Sequence, residues 1–214
     1  MRKIARIFGQ LRTVAPAGGR IALGMAANGS GKLVMNIPNQ EQDNWCWAAV
    51  AVGIGDFLLA RQTQQCAFAS DVLGMASGAC CGTQSGGPCD KQWYLDRALS
   101  KVGCFERLDV PASFADVGTE IDDGHPLGVR IRWSNGSGHF VAITAYRTGG
   151  SGAQIVTVQD PWGPKELDYE IGKLNGQYGT SSGSWTHSYY TSANPTVGGA
   201  APDKADHQPE LLGG

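Results

Sequence analysis

One cysteine of the chain lies where a nucleophilic thiol is expected. Cys46 belongs to the segment Asn-Trp-Cys-Trp-Ala-Ala-Val, in which polar residues give way to small and apolar ones. This pattern predicts a helix over 46–61, with Asp43 or Asn44 as its cap and the thiol on its first turn. The positive end of a helix dipole and a nearby histidine both favour the thiolate, which is the reactive form. The alternative role is a small buried hydrophobic residue.

A glutamine upstream supports the catalytic interpretation. Gln40 precedes Cys46 by six residues, and its amide could donate to the oxygen that becomes negative when a thiolate attacks a carbonyl. Gln42 is a second glutamine in the same segment. Without the cysteine, either residue would be interpreted as a solvated loop residue. We therefore predict Gln40 as the oxyanion donor.

A general base has to come from the four histidines of the chain. His139 begins the apolar run His-Phe-Val-Ala-Ile-Thr-Ala-Tyr after a Gly/Ser turn, so the end of a strand would present its imidazole at the rim of a sheet. His207 lies in a tail-like segment, whereas His125 and His187 fit exposed positions. His139 is the predicted base.

A carboxylate that could orient this imidazole follows the next predicted strand. Asp160 ends the run Gln-Ile-Val-Thr-Val-Gln-Asp and precedes Pro-Trp-Gly. If the two strands form a hairpin through the Gly-rich loop at 148–152, Asp160 and His139 lie at the same end of the sheet, as a triad requires. The alternative is an Asp that only initiates an Asp-Pro turn. Asp122 and Asp123 are weaker candidates because they precede the strand pair.

The elements that must position these residues change period along the chain. Helical patterns cover 46–61, 70–75, 90–102 and 113–122, and strand patterns cover 126–133, 139–147, 154–159 and 185–191. The sequence therefore predicts an α+β fold in which helices precede an antiparallel sheet.

Composition excludes several classes of protein. The chain has 214 residues, of which 42% are hydrophobic and 17% charged, and its net charge is -2. These values indicate a folded chain with ample core, and they argue against a disordered chain and a basic nucleic-acid binder. No apolar run is long enough to cross a bilayer, so no integral membrane segment is expected.

Charge and breaker residues divide the chain into three parts. The first 40 residues carry six Lys or Arg and no acidic residue. Residues 1–35 are therefore predicted to be a separate basic segment, which lacks the apolar core of a classical signal peptide. A solvated arm is the favoured interpretation, and the alternatives are an amphipathic helix at a membrane surface and a targeting signal. Residues 36–191 form the predicted folded body, and 192–214 are predicted to be a flexible tail.

Three motifs in order resemble the papain-like cysteine peptidases, and most closely their bacterial branch of effector proteases and double-glycine leader peptidases. The motifs are Gln40-x5-Cys46-Trp47-Ala48, Gly138-His139-Phe140-Val141 and Val158-Gln159-Asp160-Pro161-Trp162-Gly163, and the resemblance covers about 37–191. It implies a helical lobe packed against an antiparallel sheet lobe. It also implies Cys46 as nucleophile, His139 as acid and base, Asp160 as orienting residue and Gln40 as oxyanion donor. Asp160 stands where papain itself has Asn, although the bacterial branch commonly uses Asp. No metal or organic cofactor is implied.

Four further cysteines lie close together in a Gly/Ser-rich stretch: Cys66, Cys80, Cys81 and Cys89. A bond between adjacent cysteines would be strained, which leaves either Cys66–Cys80 with Cys81–Cys89 or Cys66–Cys81 with Cys80–Cys89. Related bacterial proteins have a similar Cys-Cys cluster. Such bridges imply an oxidising destination. The spacing does not match a zinc site, and Cys104 is expected in the core.

The expected function is a cysteine endopeptidase that acts on a protein or peptide through a thioester. We expect a monomer that is secreted or exported without a classical signal peptide, as an effector or processing protease; the alternative location is the cytoplasm. Two other functions fit the same residues. One is a papain-like deamidase or transglutaminase toxin that attacks Gln side chains, and the other is a non-catalytic binding protein with this fold.

Overall fold

Four helices and an eight-stranded antiparallel sheet make up the part of the chain that the computed structural model describes, residues 22–25, 29–163 and 166–196. The helices are α1 (Cys46–Leu59), α2 (Gln65–Val72), α3 (Leu95–Val102) and α4 (Phe114–Asp122). The strands are β1 (Ala22–Met25), β2 (Ser30–Leu33), β3 (Phe105–Asp109), β4 (Leu127–Trp133), β5 (Gly138–Thr148), β6 (Gln154–Gln159), β7 (Leu167–Glu170) and β8 (Gly183–Thr191), with a 3-10 helix at Ile171–Asn175. The predicted α+β class is confirmed.

The first helix, α1, lies inside the core. Ten of its 14 residues are buried, as expected for a helix that is apolar on all sides. A Cβ at Gly53 would lie only 2.9 Å from the Cα of Ile37, and one at Gly55 would overlap the side chain of Val102. Small residues therefore let α1 pack directly against the chain on both sides.

The start of α1 differs from the prediction in one respect. Its cap is Trp45, which makes no side-chain capping bond, so neither Asp43 nor Asn44 caps the helix. The backbone N–H of Asn44 instead donates to the side chain of Asp90, which belongs to a distant loop. Contacts with that loop replace the local cap.

Strand β5 is the centre of the sheet. It has 11 residues and pairs with β4 over Gly138–Ile143, with β2 over Ala145–Arg147 and with β6 from Ala142 onward. The strand order is β1-β2-β5-β4-β8-β3, with β6 pairing β5 and β7 pairing β6.

Both faces of the sheet are covered, and β5 shows how. Phe140 and Ala142 pack into a core cluster with α1, whereas Val141 and Ile143 pack into a second cluster with α4. Successive strand residues point to opposite faces, so an unbroken apolar run can fill two cores. The run at 140–146 is therefore buried on both sides of the sheet.

Several boundaries differ from the sequence prediction. The second helix begins at residue 65 instead of 70 and the third at residue 95 instead of 90, while β1, β2, β3 and β7 were not predicted. Helices and strands therefore alternate in part, and the helices do not all precede the sheet. Within the predicted basic segment 1–35, β2 pairs with β5 and belongs to the sheet.

The ends of the chain lie largely outside the described residues. These ends include the predicted amphipathic helix near the N-terminus and residues 197–214 of the predicted tail. Among the helices that the structure describes, none has the length and apolar character needed to cross a membrane.

Candidate active site

Cys46 is the first residue of α1 and is partly exposed. Residues 89 and 90, at the end of the stretch that contains the disulfide-bonded cysteines, hold the chain next to Cys46. The indole Nε1 of Trp45 donates to the carbonyl oxygen of Cys89 at 2.7 Å, and the backbone N–H of Asn44 donates to Asp90 Oδ1 at 2.8 Å. These bonds hold the residues before the thiol without a local cap.

The same loop also contacts the residue after the thiol. The indole Nε1 of Trp47 donates to the carbonyl oxygen of Lys91 at 2.9 Å. Residues 91–94 were predicted to be helical but belong to no helix or strand, and α3 starts only at Leu95. The segment from Asn44 to Trp47 is thus bonded to residues 89–91 along its length.

Two disulfides close this loop. Cys66 is bonded to Cys81 and Cys80 to Cys89, which is one of the two pairings that the sequence left open. The sulfurs therefore form crosslinks and hold no metal. Cys104 is the other free cysteine besides Cys46; it is buried, and burial raises the pKa of its thiol to about 12.

His139 and Asp160 meet at one end of the β5–β6 hairpin. His139 is the second residue of β5, Asp160 directly follows β6, and Ala142 pairs with Gln159 between them. His139 Nε2 lies 2.7 Å from Asp160 Oδ1. The hairpin thus joins the predicted base and the predicted carboxylate.

Asp160 accepts two further hydrogen bonds. The backbone N–H of Trp162 donates to Oδ1 at 2.8 Å, and the hydroxyl of Tyr178 donates to Oδ2 at 2.7 Å. Burial of the Asp160 carboxyl raises its pKa. The hydrogen bond and charge of His139 lower the pKa, the other two donors lower it as well, and together they outweigh the effect of burial. The net pKa is lowered, so this buried group stays ionised at neutral pH.

The imidazole of His139 is under opposing influences. Burial lowers its pKa, whereas hydrogen bonds with Asp160 and with Cys46 raise it, and the net pKa is about 10. Because Nε2 bonds to Asp160, the other ring nitrogen remains for the thiol. The arrangement favours a histidine that holds its proton between a carboxylate and a sulfur.

One cavity of about 410 Å³ contains the three residues. Aromatic rings make up much of its wall, and the ring of Trp133 is stacked near that of His139, with 6.4 Å between centroids and 18° between planes. Its lining residues are Asp43, Asn44, Cys46, Trp47, Gln92, Trp93, Trp133, Ser137, Gly138, His139, Phe140, Asp160, Trp162 and Tyr178. The pocket is thus a largely apolar cleft whose wall includes Cys46, His139 and Asp160.

Gln40 is not among the residues that line this cavity. Its Nε2 donates to the carbonyl oxygens of Gln42 at 2.8 Å and Asp43 at 2.7 Å, and its Oε1 is buried without a hydrogen-bond partner among the described residues. Its backbone N–H donates to the oxygen of Pro161, next to Asp160. The structure therefore brings Gln40 near the site while its amide is bonded within its own turn.

The remaining candidates lie elsewhere or have other partners. Gln42 donates to Thr83, His125 Nδ1 lies 3.4 Å from Glu120 Oε2, His187 Nδ1 lies 2.9 Å from Thr186 Oγ1, and Asp122 accepts from the Tyr146 hydroxyl. Asp123 lies at the end of α4, and His207 is outside the described residues. Among the described residues, no group of three or more His, Cys, Asp or Glu could hold a metal ion.

Sequence reasoning missed Tyr178 and Trp133 as neighbours of the site. Tyr178 lies in a Gly/Ser-rich segment after the 3-10 helix, where apolar periodicity gives no signal. Trp133 ends β4, and its register opposite Gly183 was not apparent from local sequence.

A cysteine facing a histidine–aspartate pair between a helical layer and an antiparallel sheet is the arrangement of a papain-like cysteine peptidase. The model of the Peptidase_C39 like family matches residues 34–192, and the chain belongs to this family. The match confirms the resemblance predicted from the motifs, and it supports cysteine peptidase activity.

Similar solved structures are distant plant proteases. The bromelain protease from Ananas comosus in complex with the E64 inhibitor is 12% identical; the match covers 73% of this chain and 93% of that one, with a TM-score of 0.39. The proform of Amb a 11, a ragweed pollen allergen and cysteine protease, is 13% identical; the match covers 70% of this chain and 60% of that one, with a TM-score of 0.34. No curated protein matches the chain.

Proposed function

We propose that this chain is a cysteine endopeptidase that hydrolyses peptide bonds with Cys46, His139 and Asp160. The observation that carries the proposal is that Cys46 and His139 line the same cavity, while Asp160 Oδ1 lies 2.7 Å from His139 Nε2 and leaves the other ring nitrogen for the thiol. Acyl transfer requires a nucleophile beside a base and a third group that orients the base, and Cys46, His139 and Asp160 can supply these three roles.

The reaction follows from these contacts. The Cys46 thiolate attacks the carbonyl carbon and forms a C–S bond, and protonated His139 gives its proton to the leaving amine as the C–N bond breaks. Water then attacks the thioester while neutral His139 takes its proton, and the acid product leaves the sulfur. Asp160 stays ionised and keeps the ring oriented in both halves of the reaction.

Gln40 is the proposed oxyanion donor, and the backbone N–H of Cys46 at the start of α1 is a second donor. For Gln40 to act, its Nε2 has to release one of the two carbonyls it now bonds, at Gln42 or Asp43. A release of this kind fits an active site whose hydrogen bonds tighten only with substrate present.

The substrate class is a protein or peptide, and the aromatic wall of the cavity favours apolar side chains next to the cleaved bond. The two disulfides support a destination outside the reducing cytoplasm, consistent with a secreted or processing protease.

The test compares two cysteine variants. Cys46→Ala should lose all peptide cleavage and all labelling by a thiol-directed peptide probe, while its circular dichroism matches the unmodified protein. Cys104→Ala is the matched control, because Cys104 is also a free thiol but lies in the core, and it should cleave at the original rate.

Mass spectrometry of a treated protein library identifies the reaction. New chain termini support the peptidase, whereas conversion of glutamine to glutamate or crosslinked products would show a deamidase or transglutaminase instead. Cleavage that persists in Cys46→Ala would refute the assignment.

A further inference from the structure

The carboxylate of Asp160 is held at both of its oxygens. Oδ1 receives His139 Nε2 at 2.7 Å and the Trp162 N–H at 2.8 Å, and Oδ2 receives the Tyr178 hydroxyl at 2.7 Å. The torsion that rotates a carboxylate about its Cβ–Cγ bond has only broad preferences. A donor at the second oxygen therefore decides where the first oxygen points.

Tyr178 is itself held in place from several directions. Its side chain is buried, and its ring is stacked on Tyr169 with 5.1 Å between centroids and 22° between planes. The ring also packs on Trp133 at 6.1 Å, and its backbone forms a bridge with Ser181 through two hydrogen bonds of 3.1 Å. The hydroxyl is thus a fixed donor on a rigid support.

We propose that Tyr178 is a positioning residue of the active site, whose hydroxyl orients Asp160 so that Oδ1 faces His139. This inference rests on the proposed function. Tyr178 acts through Asp160, and its own hydroxyl is assigned no bond to the substrate.

The chemistry of a phenol suits this role. Burial, followed by the adjacent charge of Asp160, raises the pKa of the Tyr178 hydroxyl well above its usual range, so the group keeps its proton and stays a donor. A neutral donor lowers the pKa of the carboxylate that it bonds without neutralising it. The negative charge beside His139 is therefore preserved.

Tyr178→Phe removes the hydroxyl and keeps the stacked ring. Its matched control is Tyr169→Phe, because Tyr169 shares the stack but its hydroxyl accepts from the backbone N–H of Gly179 and does not bond to Asp160. The measurement is the rate of Cys46 alkylation by iodoacetamide as a function of pH, which needs no peptide substrate. A parallel assay measures kcat and KM on a cleaved peptide.

We expect the acid limb of the Tyr178→Phe alkylation profile to move to higher pH by about one unit. The lost hydrogen bond raises the pKa of the Asp160 carboxylate, so its negative charge, which supports the protonated His139 and the Cys46 thiolate, is lost at a higher pH. kcat should fall while KM stays near its original value. Tyr169→Phe should keep the original limb. In an Asp160→Asn background, adding Tyr178→Phe should move the limb no further.

An unmoved limb in Tyr178→Phe, or a uniform loss of rate at every pH, would overturn the positioning role. A moved limb in a protein that cleaves no peptide would keep the positioning role and reject the peptidase function. A further shift in the Asp160→Asn background would also overturn the proposal, since the effect would not pass through the carboxylate.

Discussion

The two halves of the candidate site are built by different means. In the sheet lobe, His139 and Asp160 lie at one end of a β-hairpin, and the strand register brings them together, with 2.7 Å between Nε2 and Oδ1. In the helical lobe, Cys46 begins a helix with no side-chain cap, and hydrogen bonds from the loop at residues 89–91 hold it.

This difference between the two lobes indicates which half of the site tolerates the loss of a single contact. A hairpin repeats its hydrogen bonds along its length, so a single lost contact changes register little. The nucleophile segment depends on a few bonds to a loop that is ordered by crosslinks, because that loop has little regular structure of its own. We therefore expect the helical lobe to be the more sensitive half.

The largest effect should come from opening the disulfides one at a time. Changing both Cys80 and Cys89 to Ser should lower the free energy of unfolding by about 2–4 kcal/mol and also lower kcat, because the Cys89 carbonyl holds Trp45 beside the nucleophile. Chemical denaturation and peptide cleavage, both without reductant, measure the two quantities.

Changing both Cys66 and Cys81 to Ser is the matched control. This bridge joins α2 to the same loop, so its removal should also cost stability. The hydrogen bonds that hold Asn44, Trp45 and Trp47 end on residues 89–91 and not on Cys66 or Cys81, so kcat should stay near its original value. Equal loss of kcat in the two double variants would contradict the special dependence of Cys46 on the Cys80–Cys89 bridge.

A smaller effect should follow from removing one indole N–H in each lobe. Trp45 donates to the carbonyl of Cys89, and Trp185 donates to the carbonyl of His187 in β8; both rings are buried. Each change to Phe should cost about 1–3 kcal/mol of unfolding free energy, the penalty of an unsatisfied carbonyl.

Only Trp45→Phe should slow the alkylation of Cys46 by iodoacetamide. Similar rates in Trp45→Phe and Trp185→Phe would mean that the nucleophile is held as firmly as the sheet residues, and the comparison between the lobes would fail.

The last effect depends on pH and concerns the sheet half. The pKa of His139 is raised above its unfolded value of about 6.5, against the effect of burial, by its hydrogen bonds to Asp160 and Cys46. The stabilisation from the protonated ring is therefore complete below the unfolded pKa and is lost as the pH rises through the higher folded value.

The difference in unfolding free energy between the original protein and His139→Gln should thus shrink as the pH rises from 6 toward 10. Urea denaturation at several pH values measures it. A difference that stays constant over this range would show that His139 titrates as an ordinary exposed histidine.

Local sequence predicted the sheet half better than the helical half. The strand at 154–159 has its predicted bounds, and the apolar run at 139–147 already indicated a strand that begins near His139. The bounds of these strands depend on residues that are close in the sequence, so a local pattern can predict them. The ordered motifs then identified the family that the match over 34–192 confirms.

What the sequence could not predict depends on partners far away in the chain. The absence of helix at residues 91–94 and the contact of Tyr178 with Asp160 are both set by tertiary hydrogen bonds. Helical periodicity in 90–102 was real, but its first residues bond to the nucleophile segment and are withdrawn from the helix.

The state of the six cysteines allows the active-site thiol of the oxidised protein to be titrated. Four sulfurs are joined in pairs and the Cys104 thiol is enclosed in the core, so Cys46 is the one sulfur left at the cleft. A chromogenic disulfide reagent added without denaturant should release one chromophore per competent molecule. The absorbance of a preparation would then report its concentration of functional enzyme directly, before any substrate is known.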